Sequence, residues 1–212
     1  MIDLHSHILY GVDDGVNTKE ESWKILKEYK AAGFSKVALT PHLYNPYVST
    51  EVKLIRPHFE ELQEWAKEEL DLHLLLGSEV FVGKQLKLLT LPIDNKYSLV
   101  EFDVFMMPTN LLLRLEDIFN KDLDVIIAHV ERYRWFKPDS SLCKELKNAG
   151  CFFQMNAEAV KKKSPLVTDW IESGMIDIIA SDNHGKPGLA ETLKATVCEY
   201  PEIKYKMAYF EQ

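Results

Sequence analysis

The feature that most constrains this chain is an alternation: short β-like runs take turns with helix-like stretches along all 212 residues. The strand-like runs are 2–7, 36–40, 72–76, 97–102, 125–129, 151–155 and 176–180. Between them lie amphipathic stretches. Residues 18–32 open with Thr18-x-x-Glu21, in which a hydroxyl and a carboxylate each satisfy a free backbone N–H, and stop at Gly33. The stretches 139–149 and 164–173 stop at Gly150 and Gly174 in the same way. Residues 51–70 read as a helix that Pro57 kinks or splits. Seven β-then-α units imply a parallel sheet with crossover helices, close to the eight units of a closed barrel. No repeat at a fixed period and no domain boundary interrupts them, so residues 1–212 read as one domain with a full-sized core.

Metal-type side chains fall at a recurring place in this alternation. His7 ends the first strand-like run, His42 follows the second, and Glu79 follows the third by a few residues. Glu101 lies near the end of the fourth, His129 ends the fifth, and Asp182 and His184 follow the seventh. Parallel strands put their C-terminal ends on one rim, and the rim holds the active site. Residues distant in sequence are therefore expected to converge.

Each local pattern has a plainer reading beside the functional one. In Asp3-Leu4-His5-Ser6-His7 the two imidazoles share a strand face and make a chelating pair, or they are surface histidines on an edge strand. Ser181-Asp182-Asn183-His184 sets a carboxylate and an imidazole two apart; helix capping accounts for Asp182 but not for His184. His129-Val130-Glu131-Arg132-Tyr133-Arg134 follows an apolar strand with two arginines, whose planar forks suit phosphate. It also reads as a core histidine with solvated arginines. Asp13-Asp14-Gly15 reads as a turn, and His42 after Thr40-Pro41 as a loop residue. Glu79 and Glu101 are weak signals singly, although a carboxylate beside an apolar strand is costly without a partner. Five of the seven histidines stand at strand ends; His58, in a helix, and His73, at a strand start, read as structural or solvent-facing.

Composition removes several function classes. The formal charge of −8 lacks the basic excess of a nucleic-acid binder, though bound metal ions would still let an acidic chain hold phosphate. No apolar run reaches the roughly 18 residues of a membrane span, and no signal peptide opens the chain, which points to the cytosol. Cys143, Cys151 and Cys198 read as small buried hydrophobes. The residues six beyond them are Ala149, Ala157 and Lys204, so none completes the C-x₅-R of a cysteine-dependent phosphatase.

Taken in order, the motifs resemble the PHP (polymerase and histidinol phosphatase) superfamily, and most closely the manganese-dependent bacterial tyrosine phosphatases of capsule and exopolysaccharide operons. The resemblance is carried by Asp3-Leu4-His5-Ser6-His7-Ile8-Leu9, Gly11-Val12-Asp13-Asp14-Gly15, Thr40-Pro41-His42 and Gly77-Ser78-Glu79-Val80. It continues through Val100-Glu101-Phe102, Ala128-His129-Val130-Glu131-Arg132-Tyr133 and Ala180-Ser181-Asp182-Asn183-His184. It implies a distorted seven-stranded (β/α) barrel and three divalent metal ions, with manganese favoured over iron, zinc or cobalt. His5, His7, Glu79 and Asp182 would hold one ion; Glu79 would bridge to a second, completed by Glu101 and His129; Asp14, His42 and His184 would hold the third. Arg132, with Asp14 and His42, would serve catalysis, and Arg132, Arg134 and Lys186 would bind substrate phosphate. Lys186 marks a departure, since relatives usually carry an arginine beyond the final Asp-x-His, and here the stretch is Gly185-Lys186-Pro187-Gly188-Leu189. The chain is also shorter than many relatives. The implied substrate is phosphotyrosine on a bacterial tyrosine kinase. A small-molecule phosphatase of the histidinol-phosphate type shares the ligand set, and a metal-binding regulatory module without strong catalysis is the reading from another class.

Overall fold

The computed structural model describes residues 1–85 and 87–211. Nine short strands appear in chain order: β1 (Ile2–Asp3), β2 (Lys36–Leu39), β3 (His42–Leu43), β4 (His73–Leu76), β5 (Glu79–Phe81), β6 (Tyr97–Glu101), β7 (Asp124–Ile127), β8 (Phe152–Asn156) and β9 (Ile178–Ala180). The helices are α1 (Lys19–Ala32), α2 (Val52–Leu70), α3 (Leu111–Phe119), α4 (Ser141–Asn148), α5 (Ala157–Lys162), α6 (Pro165–Glu172), α7 (Leu189–Glu199) and α8 (Pro201–Met207). All pairings between these strands are parallel, as the crossover helices require.

The expected distorted seven-stranded barrel is met in its coarser outline, an α/β fold of parallel strands, and among the described residues the strands close no ring. They make a three-stranded sheet, β1-β2-β4, and a six-stranded sheet, β3-β5-β6-β7-β8-β9. The division has a local cause. Two of the expected strands, 36–40 and 72–76, stop at Thr40-Pro41 and at Gly77-Ser78, and each resumes beyond the stop as a short unexpected strand; the breaks lie side by side, since Leu39 pairs with Leu76 and His42 with Glu79. Pro41 offers no N–H to a ladder. Gly77 is held where a Cβ would come within 2.5 Å of Ile93 Cγ1. Backbone bonds still cross the gap, from Gly77 N–H to Leu39 O (2.9 Å) and from Glu79 N–H to Pro41 O (3.1 Å). A parallel bridge between Ser6 and Asn183 links the residues after β1 to those after β9.

β1 is also shorter than the expected run 2–7. Asp3 Oδ1 accepts the backbone N–H groups of His5 and Ser181 (3.3 and 3.1 Å), so a side chain replaces the ladder at that point. The Thr18–Glu21 capping box forms, and Gly33 ends α1 with φ 91°. α2 runs through Pro57 without dividing; Pro57 is exposed, so the carbonyl it leaves unbonded faces water.

The core has two parts. Ile2, Leu4, Ala38, Leu75, Leu99, Ile126, Ile178 and Phe210 form a buried cluster on the faces that the strands turn toward one another. Residues of alternate parity, such as Val37, Leu39, Val100 and Ile127, pack outward against helix residues including Leu26, Leu62 and Leu115. Cys143 and Cys151 are buried as expected. Cys198 is exposed, because α7 turns Leu193, Thr196 and Val197 to the core and Cys198 away from it.

Candidate metal centre

The site forms where the parallel strands end. His5 and His7 follow β1, His42 opens β3, Glu79 opens β5, Glu101 closes β6, His129 follows β7, and Asp182 and His184 follow β9. Asp14 comes from the turn after β1. All nine residues expected as ligands converge. Donor atoms of His5, His7 and Asp182 lie within 4.8 Å of one another, as do those of His42, Glu79 and Glu101, and those of His7, Asp14, His42 and His184. Burial is graded: His5 and His7 are fully buried, Glu79 and His129 nearly so, whereas the side chains of Asp14 and His184 are 50% and 34% exposed. The cluster therefore has a sealed floor and an open mouth.

The chemistry of the floor follows from its neighbours. Gln154 Oε1 accepts the backbone N–H of His129 (2.8 Å), which fixes it as an acceptor, so the His5 Nδ1 at 3.2 Å from it must carry the proton. His7 Nδ1 faces Asp13 Oδ2 at 2.8 Å and carries its proton for the same reason. In the neutral rings both Nε2 atoms then present lone pairs. They point at each other across 3.2 Å, and each lies 3.3–3.5 Å from Glu79 Oε2 and Asp182 Oδ1. Four electron-pair donors this close repel one another unless a cation sits among them. Ligands about 2.1 Å from one ion would be roughly 3.0–3.4 Å apart, so the set fits a divalent metal. The donors are nitrogen and oxygen without sulfur, which suits manganese, iron, zinc or cobalt.

The electrostatics agree. Burial disfavours charge on His5, but the carboxylates of Glu79 and Asp182 outweigh it and hold the imidazole up to about 9. His7 is raised well above its usual range against the same burial, by Asp13 and Glu79. Burial works against ionised Asp182 too, yet His5 and His7 draw it down to about 2. The floor is a place that wants positive charge.

Several residues that hold this arrangement are not evident in the sequence. Asp13, which reads as half of a turn, accepts from His7 Nδ1 and from the backbone N–H groups of His42 (3.1 Å) and Gly15 (3.1 Å). Gln154 supports His5 and His129 and donates to Asn156 Oδ1 (2.8 Å), while Asn156 Nδ2 donates to Asp182 Oδ2 (2.8 Å). β8 thus orients ligands without supplying one. Asp3 accepts the Tyr29 hydroxyl at 2.7 Å beneath the floor. Asn45 Nδ2 donates to Glu101 Oε1 (2.7 Å). The one available signal was a buried polar residue, Gln154, in an apolar run. Two expected ligands sit in left-handed backbone, His129 at φ 30° and Asp182 at φ 51°, a strain typical of functional sites.

The three expected phosphate contacts separate. Arg132 lies at the mouth with Nη1 3.4 Å from Asp182 Oδ2 and its side chain 48% exposed. Arg134 stacks its guanidinium on Phe105, 4.6 Å from the ring centre. Lys186 pairs with Glu158 on α5, its side chain 60% exposed. Glu131, between His129 and Arg132, is half-buried with its Oε2 enclosed and unpartnered, and burial of the carboxyl pushes it up to about 7. His58 supports the loop after β1 through Tyr10 O (2.9 Å), and His73 is exposed.

Comparison with known proteins places this geometry. The sequence model described as "Capsular polysaccharide synthesis, CpsB/CapC" matches residues 1–212. The chain is 27% identical to the tyrosine-protein phosphatase CpsB of Streptococcus agalactiae, covering 100% of this chain and 96% of that one. It superposes with a TM-score of 0.81 at 24% identity, covering 97% and 90% of the two chains, on a structure from the work on YwqE from Bacillus subtilis and CpsB from Streptococcus pneumoniae, described there as unique metal-dependent tyrosine phosphatases. A histidinol phosphate phosphatase from Lactococcus lactis, solved with zinc, L-histidinol and phosphate, matches with a TM-score of 0.60 at 12% identity, covering 97% and 94%. At these identities the two structures speak for the fold, a parallel α/β architecture similar to PHP-type phosphatases.

Proposed function

The chain belongs to the CpsB/CapC family of capsular polysaccharide synthesis proteins, and from that premise we propose that it is a metal-dependent protein-tyrosine phosphatase. The observation that carries the reading is the floor of the site. Two imidazoles locked in the Nδ1–H tautomer set their Nε2 atoms 3.2 Å apart and each 3.3–3.5 Å from the carboxylate oxygens of Glu79 and Asp182. On this reading the nine residues His5, His7, Asp14, His42, Glu79, Glu101, His129, Asp182 and His184 hold up to three ions, manganese favoured. On the same reading the chain acts as one domain over residues 1–212 whose two sheets, joined by the Ser6–Asn183 bridge, make the wall of a distorted seven-stranded barrel.

Divalent metal ions bound here supply charge that polarises a phosphate ester and a water whose pKa falls toward neutrality. The protein's part is to hold and orient. Asp13 and Gln154 keep His7 and His5 in the ligating tautomer. Asp14 and His184 line the open side, from which substrate and water enter, with His42 buried beside them. Arg132 projects at the same mouth with a fork that suits the equatorial oxygens of a phosphoryl group in transfer. A tyrosyl ester asks little of a general acid, since its phenol leaves with a pKa of about 10. The exposed Phe105, Met106 and Met107, just past Glu101, offer apolar surface to an aromatic substrate. The substrate we propose is phosphotyrosine on a bacterial tyrosine kinase of the capsule or exopolysaccharide pathway, met in the cytoplasm. No described helix is long and apolar enough to cross a membrane.

Turnover of a phosphotyrosine peptide, a phosphoserine peptide and histidinol phosphate, each with manganese and with chelator, tests this. The expected result is metal-dependent hydrolysis that favours phosphotyrosine. Preference for histidinol phosphate would reassign the substrate, and full activity in chelator would remove the metal mechanism.

A further inference from the structure

Beside the metal centre runs an open groove of about 600 Å³. Its apolar part comes from Leu43, Val48 and Leu91, all half-buried. Its polar wall is the first two turns of α2, where Lys53 and Arg56 stand three residues apart on one face. Both are exposed, and among the described residues no carboxylate lines the groove. Neither cation enters an ion pair among the described residues. On a chain with 33 acidic and 25 basic residues, two adjacent uncompensated cations make a local reversal of sign. The groove is continuous with the reaction site: Asn45 lines it and also donates to Glu101 Oε1 at 2.7 Å. Leu43, in the groove, is the residue after His42.

We propose that this groove binds the peptide segment flanking the phosphotyrosine and selects acidic side chains within it, an inference that rests on the phosphatase reading above. The occupant follows from charge and position. Cations at the edge of an apolar trough complement a carboxylate-bearing chain. An extended peptide advances about 3.3 Å per residue, so a few residues beyond the phosphotyrosine reach from the metal rim past Asn45 to α2. Arg132 and Arg134 follow β7, whereas the groove is built from β3 and α2, so peptide selection and phosphate binding use separate cations.

The test compares metal-loaded wild type with the double variant Lys53→Glu, Arg56→Glu. The substrates are a phosphotyrosine peptide with Asp and Glu flanks, the same peptide with Asn and Gln flanks, and p-nitrophenyl phosphate. Wild type should favour the acidic peptide roughly tenfold in kcat/KM, through KM, with the ratio shrinking as salt rises. The variant should abolish or invert the ratio and leave p-nitrophenyl phosphate hydrolysis unchanged. Should charge reversal unfold the protein, Lys53→Gln, Arg56→Gln makes the same comparison. Normal turnover with equal kcat/KM on the two peptides, or a wild-type ratio that survives in the variant, overturns the groove alone. Absence of turnover on both peptides overturns the phosphatase reading and this inference with it.

Discussion

Arg132 and Asp13 divide the work at the scale of single residues. Arg132 touches Asp182 only loosely, at 3.4 Å and half-exposed, so its loss should spare the ligands. Arg132→Ala is expected to retain its metal, measured by elemental analysis, while kcat/KM on phosphotyrosine peptide falls roughly 10²-fold, as for a lost transition-state charge partner. Lost metal would make Arg132 structural instead. Asp13→Asn should do the reverse. It keeps the shape but weakens the hold on His7 Nδ1, and outer partners of this kind typically contribute about 10- to 100-fold in metal affinity. Competition with a chelator reads that loss, and excess metal should restore much of the activity. Lys186 is a smaller matter: exposed pairs such as Lys186–Glu158 are worth about 0.2–1 kcal/mol, so a phosphate can compete for the ammonium. Lys186→Ala should raise KM a few-fold with little change in kcat; unchanged kinetics would leave Lys186 to Glu158. The candidate ligands were legible because a histidine or carboxylate at the end of an apolar strand stands out. Their supports were not, because Asp13 acts on His7 through an orientation that only the folded turn creates, and Gln154 acts on His5 from 149 residues away.

At the scale of elements, helices α1, α2, α4 and α6 and the order of the expected strands could be read from a capping box, glycine stops and apolar runs, because these are local signals. What escaped was the pair of breaks that yields β3 and β5. Those breaks are tertiary: Gly77 is needed because Ile93 and Thr40 from other segments crowd it, not because its neighbours in sequence demand it. The breaks also matter for function, since His42 and Glu79 open the short strands beyond them and sit in register. A methyl at Gly77 would press on Ile93 Cγ1 and Thr40 Cγ2, 2.5 and 3.1 Å from the ideal Cβ position. Overpacking of this kind costs about 1–3 kcal/mol, or roughly 2–12 °C in a chain of this length. Gly77→Ala should therefore lower Tm within that range, by calorimetry, and lower activity by more than instability alone explains, because the shift bears on Glu79. A variant with native Tm and native activity would show that Ile93 simply moves aside.

For the whole molecule, the candidate metal centre is where the two sheets meet: His5 and His7 extend from the three-stranded sheet, and Glu79, Glu101 and His42 belong to the six-stranded one. Ions bound among them would cross-link the sheets, so folding and metal binding should be linked. The sign of the pH dependence follows from the cluster's own charges. In metal-free protein, His5 is raised from 6.5 to about 9, with His7 raised in the same direction. Their stabilisation is fully present below pH 6.5 and is lost as pH rises through about 9. Asp182, lowered from 3.8 to about 2, contributes above pH 3.8 and loses its contribution as pH falls through about 2. The chelated protein should thus weaken between pH 6.5 and 9. The loaded protein should behave oppositely in that window, because a proton on Nε2 and an ion at Nε2 exclude each other, and deprotonation favours the ion. The difference in Tm between manganese-loaded and chelated protein should widen steadily from pH 6.5 to 9. At metal about a thousandfold above its Kd the stabilisation would be roughly 4 kcal/mol, or about 10 °C. Thermal melts at three pH values with manganese and with chelator measure it directly. A difference that stays constant or narrows with rising pH would mean that the stabilising ions do not bind through His5 and His7, and the assignment of the buried floor as a metal site would fall.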